Sequence, residues 1–424
     1  MKTLLQRLAG LFDAIGVVGE LGRGQRPLAL KRYKCRCGQP IFFGNSRCLA
    51  CGRELGFDPG TLTMLALEPE QLLGHAPDQV QRQTPEQVQR QTPDQVQRQA
   101  PAQARWQRCA NAAVCGCNWL VPHDDGPEHE GLCRACRLNH TIPDLRNAHH
   151  AQLWGRIEVA KRRLVSQLLA LGLPVRSRVS EDTQRGVMFD FLERAPGAEP
   201  ITTGHLNGLV TLDIDEADDA ARERLRDALA EPYRTVLGHL RHEIGHYYWQ
   251  RLVAGDGAGD GVGAGPGGGW LLPFRLRFGD ERADYTDALE RHYREGPRVD
   301  WPDHCVSAYA SSHPWEDWAE TFAHYLHMVD TLDTAISFGL EGEEVETGFT
   351  PFGPEALDAP GDPDAERFLG FVNAWLPISA LMNELARSMG QPDFYPFVLA
   401  APAVAKLHLV HRIVATEVAA ARRG

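Results

Sequence analysis

Nowhere in this 424-residue chain do eighteen apolar residues run together, so the sequence offers no membrane-spanning helix. A basic surplus is missing too. The 44 Lys and Arg stand against 56 Asp and Glu, and the net charge of −12 excludes a nucleic-acid footprint spread over the whole protein. Cysteine is scarce beyond residue 136: of ten, nine precede residue 140 and Cys305 stands alone. The opening MKTLLQRLAGLFDAIGVVGELGRG does not read as a secretory signal, because Gln6, Arg7, Asp13 and Glu20 interrupt it and no small-residue cleavage site follows. Residues 1–30 are read instead as an amphipathic extension, of the kind that docks on a partner or a membrane surface, in a cytoplasmic protein. The 43% hydrophobic and 24% charged content is that of a globular chain, and the length predicts two domains.

The nine early cysteines are grouped. Cys35 and Cys37, Cys48 and Cys51, and Cys133 and Cys136 form close pairs, while Cys109, Cys115 and Cys117 make a looser cluster. Close pairs backed by turn glycines (Gly38, Gly52) in a chain without a secretory signal are zinc knuckles rather than a disulfide framework. Thiolate ligands also need a reducing compartment. Lys31, Arg32, Lys34, Arg36, Arg47 and Arg53 occur with no acid between them, so this module is basic and can meet a protein or nucleic-acid partner. From Pro77 a period of eight follows, PDQVQRQT, PEQVQRQT, PDQVQRQA and PAQARWQR, rich in Gln and poor in apolar residues. It is expected to be a solvated insertion, at 77–104, in a cysteine-rich region spanning 31–145.

From residue 146 onward the pattern becomes helical. LWGRIEVAKRRLVSQLLALG carries apolar residues at three and four spacing and should close at Gly172. VMFDFLE and HLNGLVTLDI read as strands; DEADDAARERLRDALA and PYRTVLGHLRHEIGHYYWQRLV read as helices, the latter with Pro232 in its first turn. A glycine-rich stretch, 254–269, separates these from FGDERADYTDALERHYREG and HPWEDWAETFAHYLHMVDTLDTAISFG, both expected to be helical. That stretch is read as a surface insertion, with a mobile lid as the other use. The last sixty residues are expected to be packing helices. The fold class is therefore α+β, a mainly helical domain with a small strand element behind a zinc-ribbon domain.

The segment HEIGH carries the chemistry. On a helix His242 and His246 are about 400° apart, so both imidazoles leave one face and can bind one zinc. Glu243 lies about 100° round from His242, where it can act as general base without ligating. A metzincin would continue with Gly and His at positions held here by Trp249 and Leu252, so that class is excluded. The third ligand is then sought on a later helix. In HPWEDWAETFAHYLH, Glu316 and Glu320 share a face, and Ala319 and Ala323 beside them permit close approach to the HEIGH helix. Glu316 is assigned as third ligand and Glu320 as the carboxylate that fixes a zinc histidine's tautomer. His324, His327, His304 and His313 are rival ligands.

Together, CRCGQPIFF, CLACGRELGFDP, CNWLVP, CRACRLNHTIPDL, EPYRTVLGHLRHEIGHYYW, FGDERADY and SAYASSHPWEDWAETFAHYLH resemble the bacterial family of zinc-binding metallopeptidases with an N-terminal zinc ribbon. More distantly, the pattern of a Tyr seven residues before E-x-x-A-E is similar to the zinc end of lethal-factor-type gluzincins. That likeness implies zinc ligation by Glu316, support of a histidine by Glu320, and oxyanion contact by Tyr309. Within the ribbon we pair Cys35, Cys37, Cys48 and Cys51 as one structural zinc site. Cys109, Cys117, Cys133 and Cys136 make a second, with Cys115 spare or in place of Cys117. The resemblance implies one catalytic Zn2+, one or two structural ones, and a peptide or protein substrate. The rival reading is a regulatory protein that binds nucleic acid or protein through its ribbon, with a closed, structural HEIGH zinc. A fourth protein ligand, such as His327 or His313, would mark that case.

Overall fold

The computed structural model describes residues 31–68, 105–195, 197, 199, 201–229, 235–255, 269–340, 342 and 345–422. The amphipathic extension, the octapeptide repeat, Pro232 and most of the glycine-rich stretch lie outside the described residues.

Three antiparallel hairpins build the N-terminal part. They pair β1 (Tyr33–Lys34) with β2 (Pro40–Ile41), β3 (Glu54–Asp58) with β4 (Thr63–Leu67), and β5 (Trp106–Arg108) with β6 (Leu120–Pro122). Strands this short bury little by themselves. A small aromatic nucleus helps: Phe57 lies 4.8 Å, centroid to centroid, from both Phe43 and Trp119. The Phe57 amide donates to the Asn118 carbonyl and links the second hairpin to the third.

The remaining strands form one four-stranded sheet in the order β7 (Asn139–Thr141), β8 (Met188–Leu192), β10 (Leu209–Asp213), β9 (Gly204–Leu206). The first three run parallel, and β9 pairs antiparallel with β10 at the edge. Phe189, Phe191, Val210 and Leu212 are buried while their neighbours along each strand are half-exposed, the alternation of a sheet packed on one face. Helix α1 (Ala148–Leu171) ends at Gly172, whose φ of 75° is the left-handed closing conformation. Its buried Lys161 lies over the Phe189 and Phe191 rings. HLNGLVTLDI is not one strand. It folds back at Asn207-Gly208, both with positive φ (50° and 83°), as a two-residue hairpin of the type favoured by Asn-Gly requires.

The helices of eight residues or more that follow are α2 (Asp219–Leu229), α3 (Val236–Tyr248), α4 (Leu271–Phe278), α5 (Tyr285–Glu295), α6 (Pro314–Ser337), α7 (Ala365–Ser388) and α8 (Ala401–Ala421). The expected helix over FGDERADYTDALERHYREG is shorter than its sequence suggested, because the Asp284 side chain caps α5 by accepting from the Asp287 amide. Helix α4 was not anticipated. No described helix is long and apolar enough to cross a membrane. Buried Asp330 on α6 ties the parts together: it pairs with Lys31 at the start of the ribbon, Arg163 on α1 and Arg241 on α3.

Helix α8 places two histidines in the core. His411 is 1% exposed, its Nδ1 shares a hydrogen bond of 3.1 Å with Tyr325 Oη, and its Nε2 has no partner. Burial, with His408 nearby, lowers its pKa from 6.5 to about 3. The folded-state value lies below the unfolded one, so the unfolded chain takes up the proton first as pH falls. Stability is then lost between pH 6.5 and about 3, by up to about 1.4 kcal/mol per pH unit. Denaturant unfolding at pH 7, 6 and 5 should therefore show a shallower decline for His411→Asn, which keeps an acceptor for Tyr325; parallel slopes would contradict this.

Candidate metal centre

Two crossing helices make the centre. Helix α3 starts at Thr235, whose hydroxyl accepts from the Gly238 amide. Helix α6 starts with Pro314 after His313, whose Nδ1 accepts from the Trp315 amide, and its first turn carries Glu316 and Asp317 at the positive dipole end. The helices approach closely at Gly245: a Cβ there would stand 3.0 Å from the Ala319 Cα. The buried Trp318 indole donates to the Gly245 carbonyl (2.9 Å) and fixes the crossing.

This crossing brings His242, His246 and Glu316 together, with one ligand atom of each within 4.8 Å of the others. His242 Nε2 lies 3.0 Å from Glu316 Oε2 and 3.2 Å from His246 Nε2, and His246 Nε2 lies 3.4 Å from Glu316 Oε1. Glu320 Oε1 stands 2.7 Å from His242 Nδ1. With the proton on Nδ1, the Nε2 lone pair points at the other ligands. Glu316 Oε2 is buried and, despite its short distance to Nε2, finds no hydrogen bond of proper geometry. Two imidazole nitrogens and a carboxylate facing one another are a donor set that fits zinc, and an ion held among them would satisfy that oxygen.

Supports come from several elements. Tyr285 Oη donates to Glu316 Oε1 (2.7 Å), and Ser307 Oγ donates to Glu320 Oε2 (2.6 Å). Glu243 is 4% exposed; its Oε1 lies 3.1 Å from His239 Nε2 and its Oε2 is buried without a partner. The other nitrogen of His239 meets Glu216. Burial alone would lower the His239 pKa, but Glu216 and Glu243 outweigh it and raise it to about 9. Burial would likewise raise Glu243, yet the surrounding histidines hold it below the usual carboxylate range, so it is an anion at neutral pH. The Tyr309 ring lies 5.9 Å from that of His242, and burial, then Glu316, pushes its phenol well above the usual range, so it keeps its proton.

The cysteines form two further groups. Cys35, Cys37, Cys48 and Cys51 converge with two thiols buried and two exposed, whereas Cys109, Cys117, Cys133 and Cys136 converge with all four buried. Each is a four-cysteine set fit for structural zinc. Cys115 joins a different grouping, with Cys136 and Glu158.

Comparison with known proteins gives the family. A family model described as "putative zinc-binding metallo-peptidase" matches residues 150–413, and a zinc-ribbon domain model matches residues 32–147. The chain belongs to this metallo-peptidase family. Similar members include uncharacterized proteins of Mycobacterium tuberculosis and Mycobacterium bovis, each 39% identical over 386 residues, 91% of this chain and 95% of theirs. No solved structure matches.

The rival histidines stand elsewhere in this family member. His313 is occupied as a helix cap and through Nε2 with the Ala283 carbonyl, His324 meets Tyr395, and the His327 ring packs near Trp375 and Tyr395. His304 pairs with Asp300. Among the described residues no fourth ligand joins the group of three. Sequence reasoning missed four supports. His239 was readable, four residues before Glu243 on one helix, but nothing local marked Glu216, Tyr285 or Ser307.

Proposed function

We propose that the chain is a zinc-dependent peptidase in which Glu243 is the general base. The observation that carries this reading is the meeting of a three-ligand donor set with a buried anionic carboxylate one residue along the same helix. Zinc held by His242, His246 and Glu316 would polarise a substrate carbonyl and lower the pKa of water from about 15.7 to about 7. Glu243 accepts the proton of the attacking water at Oε2, the oxygen that has no other partner, and returns it to the departing amine nitrogen. His239, anchored on Glu216, keeps Oε1 engaged and the carboxylate in place. Tyr309 is a neutral hydroxyl donor beside His242 and serves the developing oxyanion, while Tyr285 holds Glu316. Edge strand β9 contacts α3 and pairs only with β10 among the described residues, leaving a free edge for an extended peptide. Two thiolate sites suit a reducing compartment, consistent with the cytoplasm, and the basic ribbon offers a surface for a protein or nucleic-acid partner.

The test is cleavage of a diverse peptide mixture read by mass spectrometry. Purified protein should cut, zinc-stripped protein should not, and three equivalents of zinc, one for each ligand set, should restore the same products. Cleavage that persists after the zinc is removed would contradict the reading.

A further inference from the structure

Beside the metal centre, but lined by none of its ligands, lies a cleft of about 380 Å³. Its walls come from α4, the turn after Tyr309, the start of α6 and α8. Four cations line it, Arg275, Arg277, Arg298 and Lys406, against one carboxylate, Asp317. Lys406 is already saturated: it donates to Asp317 Oδ2 and the His304 carbonyl and lies 3.8 Å from Cys305 Sγ. The three arginines are not. Arg275 and Arg298 each grip a carboxylate, Glu281 and Asp300, through Nε and Nη2, and Arg277 uses the same two nitrogens on Asp358. None of those three carboxylates lines the cleft. In each arginine no described residue accepts from Nη1, so three side chains that line one cleft, each engaged through Nε and Nη2, retain a donor for a ligand. A guanidinium already held by a carboxylate gives up less rotamer freedom on binding than a free one, which favours charge-assisted bonds to a ligand.

We propose that this cleft binds a phosphate-bearing small molecule, a phosphomonoester, through Arg275, Arg277 and Arg298. A lone carboxylate is satisfied by one arginine fork, whereas three separate donors suit the several oxygens of a phosphate. The volume exceeds that of a bare phosphate and leaves room for the esterified group. The Ser311 side of the cleft belongs to the turn that carries Tyr309, and Pro314 and Asp317 belong to the helix that carries Glu316, so an occupant touches two elements that bear residues of the metal centre.

The test is isothermal titration of the full-length, zinc-loaded protein with inorganic phosphate, glycerol phosphate and citrate, at ionic strength fixed with chloride. One saturable site is expected for the two phosphates, with glycerol phosphate binding at least as tightly as inorganic phosphate. Binding should persist in His246→Ala, which separates the cleft from any phosphate taken up by a catalytic zinc. It should weaken about tenfold or more in Arg275→Gln and in Arg298→Gln. Arg298 is 60% exposed at its side chain, so that variant leaves folding intact. No saturable binding, loss in His246→Ala with retention in the arginine variants, or citrate binding more tightly than both phosphates would overturn the proposal.

Discussion

Glu243→Gln is expected to keep every zinc and to lower peptide cleavage by about a thousandfold, within the range that general-base removal costs. The exchange is nearly isosteric. Gln keeps an oxygen that can still accept from His239, and the hydrogen bonds of His242 and His246 run to Glu320 and to each other rather than to Glu243. What disappears is the anionic oxygen able to take a proton from water. Turnover equal to that of the parent would remove Glu243 from the role proposed for it. Zinc lost together with turnover would instead make Glu243 a support of the ligand set.

The second large effect concerns the ribbon, where the two thiolate sites should respond unequally. Cys133→Ser is expected to unfold the N-terminal region, while Cys37→Ser should remove one zinc and leave the protein soluble. Cys133 is 1% exposed, and all four thiols of its site lie in the core that continues into the main domain. Cys136 of this site lies 3.8 Å from Glu158 on α1. A structural zinc contributes on the order of 10 kcal/mol or more to folding, comparable to the whole stability of a typical domain. Cys37, by contrast, is exposed, as is Cys51 of the same site. Soluble yield, circular-dichroism melting and zinc content of the two variants measure the difference; equal loss in both would contradict it.

The parts of the centre that lie within one helix were the readable parts. His242 and His246, and Glu316 and Glu320, each stand one turn apart, and helical geometry alone puts each pair on one face. Ala319 marked the close crossing, which Gly245 on the partner helix completes. The long-range supports were not readable. Tyr285 reaches Glu316 across 31 residues and Glu216 reaches His239 across 23, and neither contact leaves a periodic trace in the chain. The hairpin at Asn207-Gly208 carried its own turn signal, yet the apolar run around it masked the break. Cys115 shows the limit of spacing as a guide. It sits two residues from Cys117, but the short helix Ala112–Cys115 ends in a left-handed Gly116 and places Cys115 in the grouping with Glu158 instead.

Metal content of the purified chain, counted by mass spectrometry beside that of His246→Ala, tests the central claim most directly. The two four-cysteine sets and the set of His242, His246 and Glu316 predict three zinc ions in the parent and two in the variant, with both cysteine sites retained. An unchanged count would show that the HEIGH helix holds no zinc.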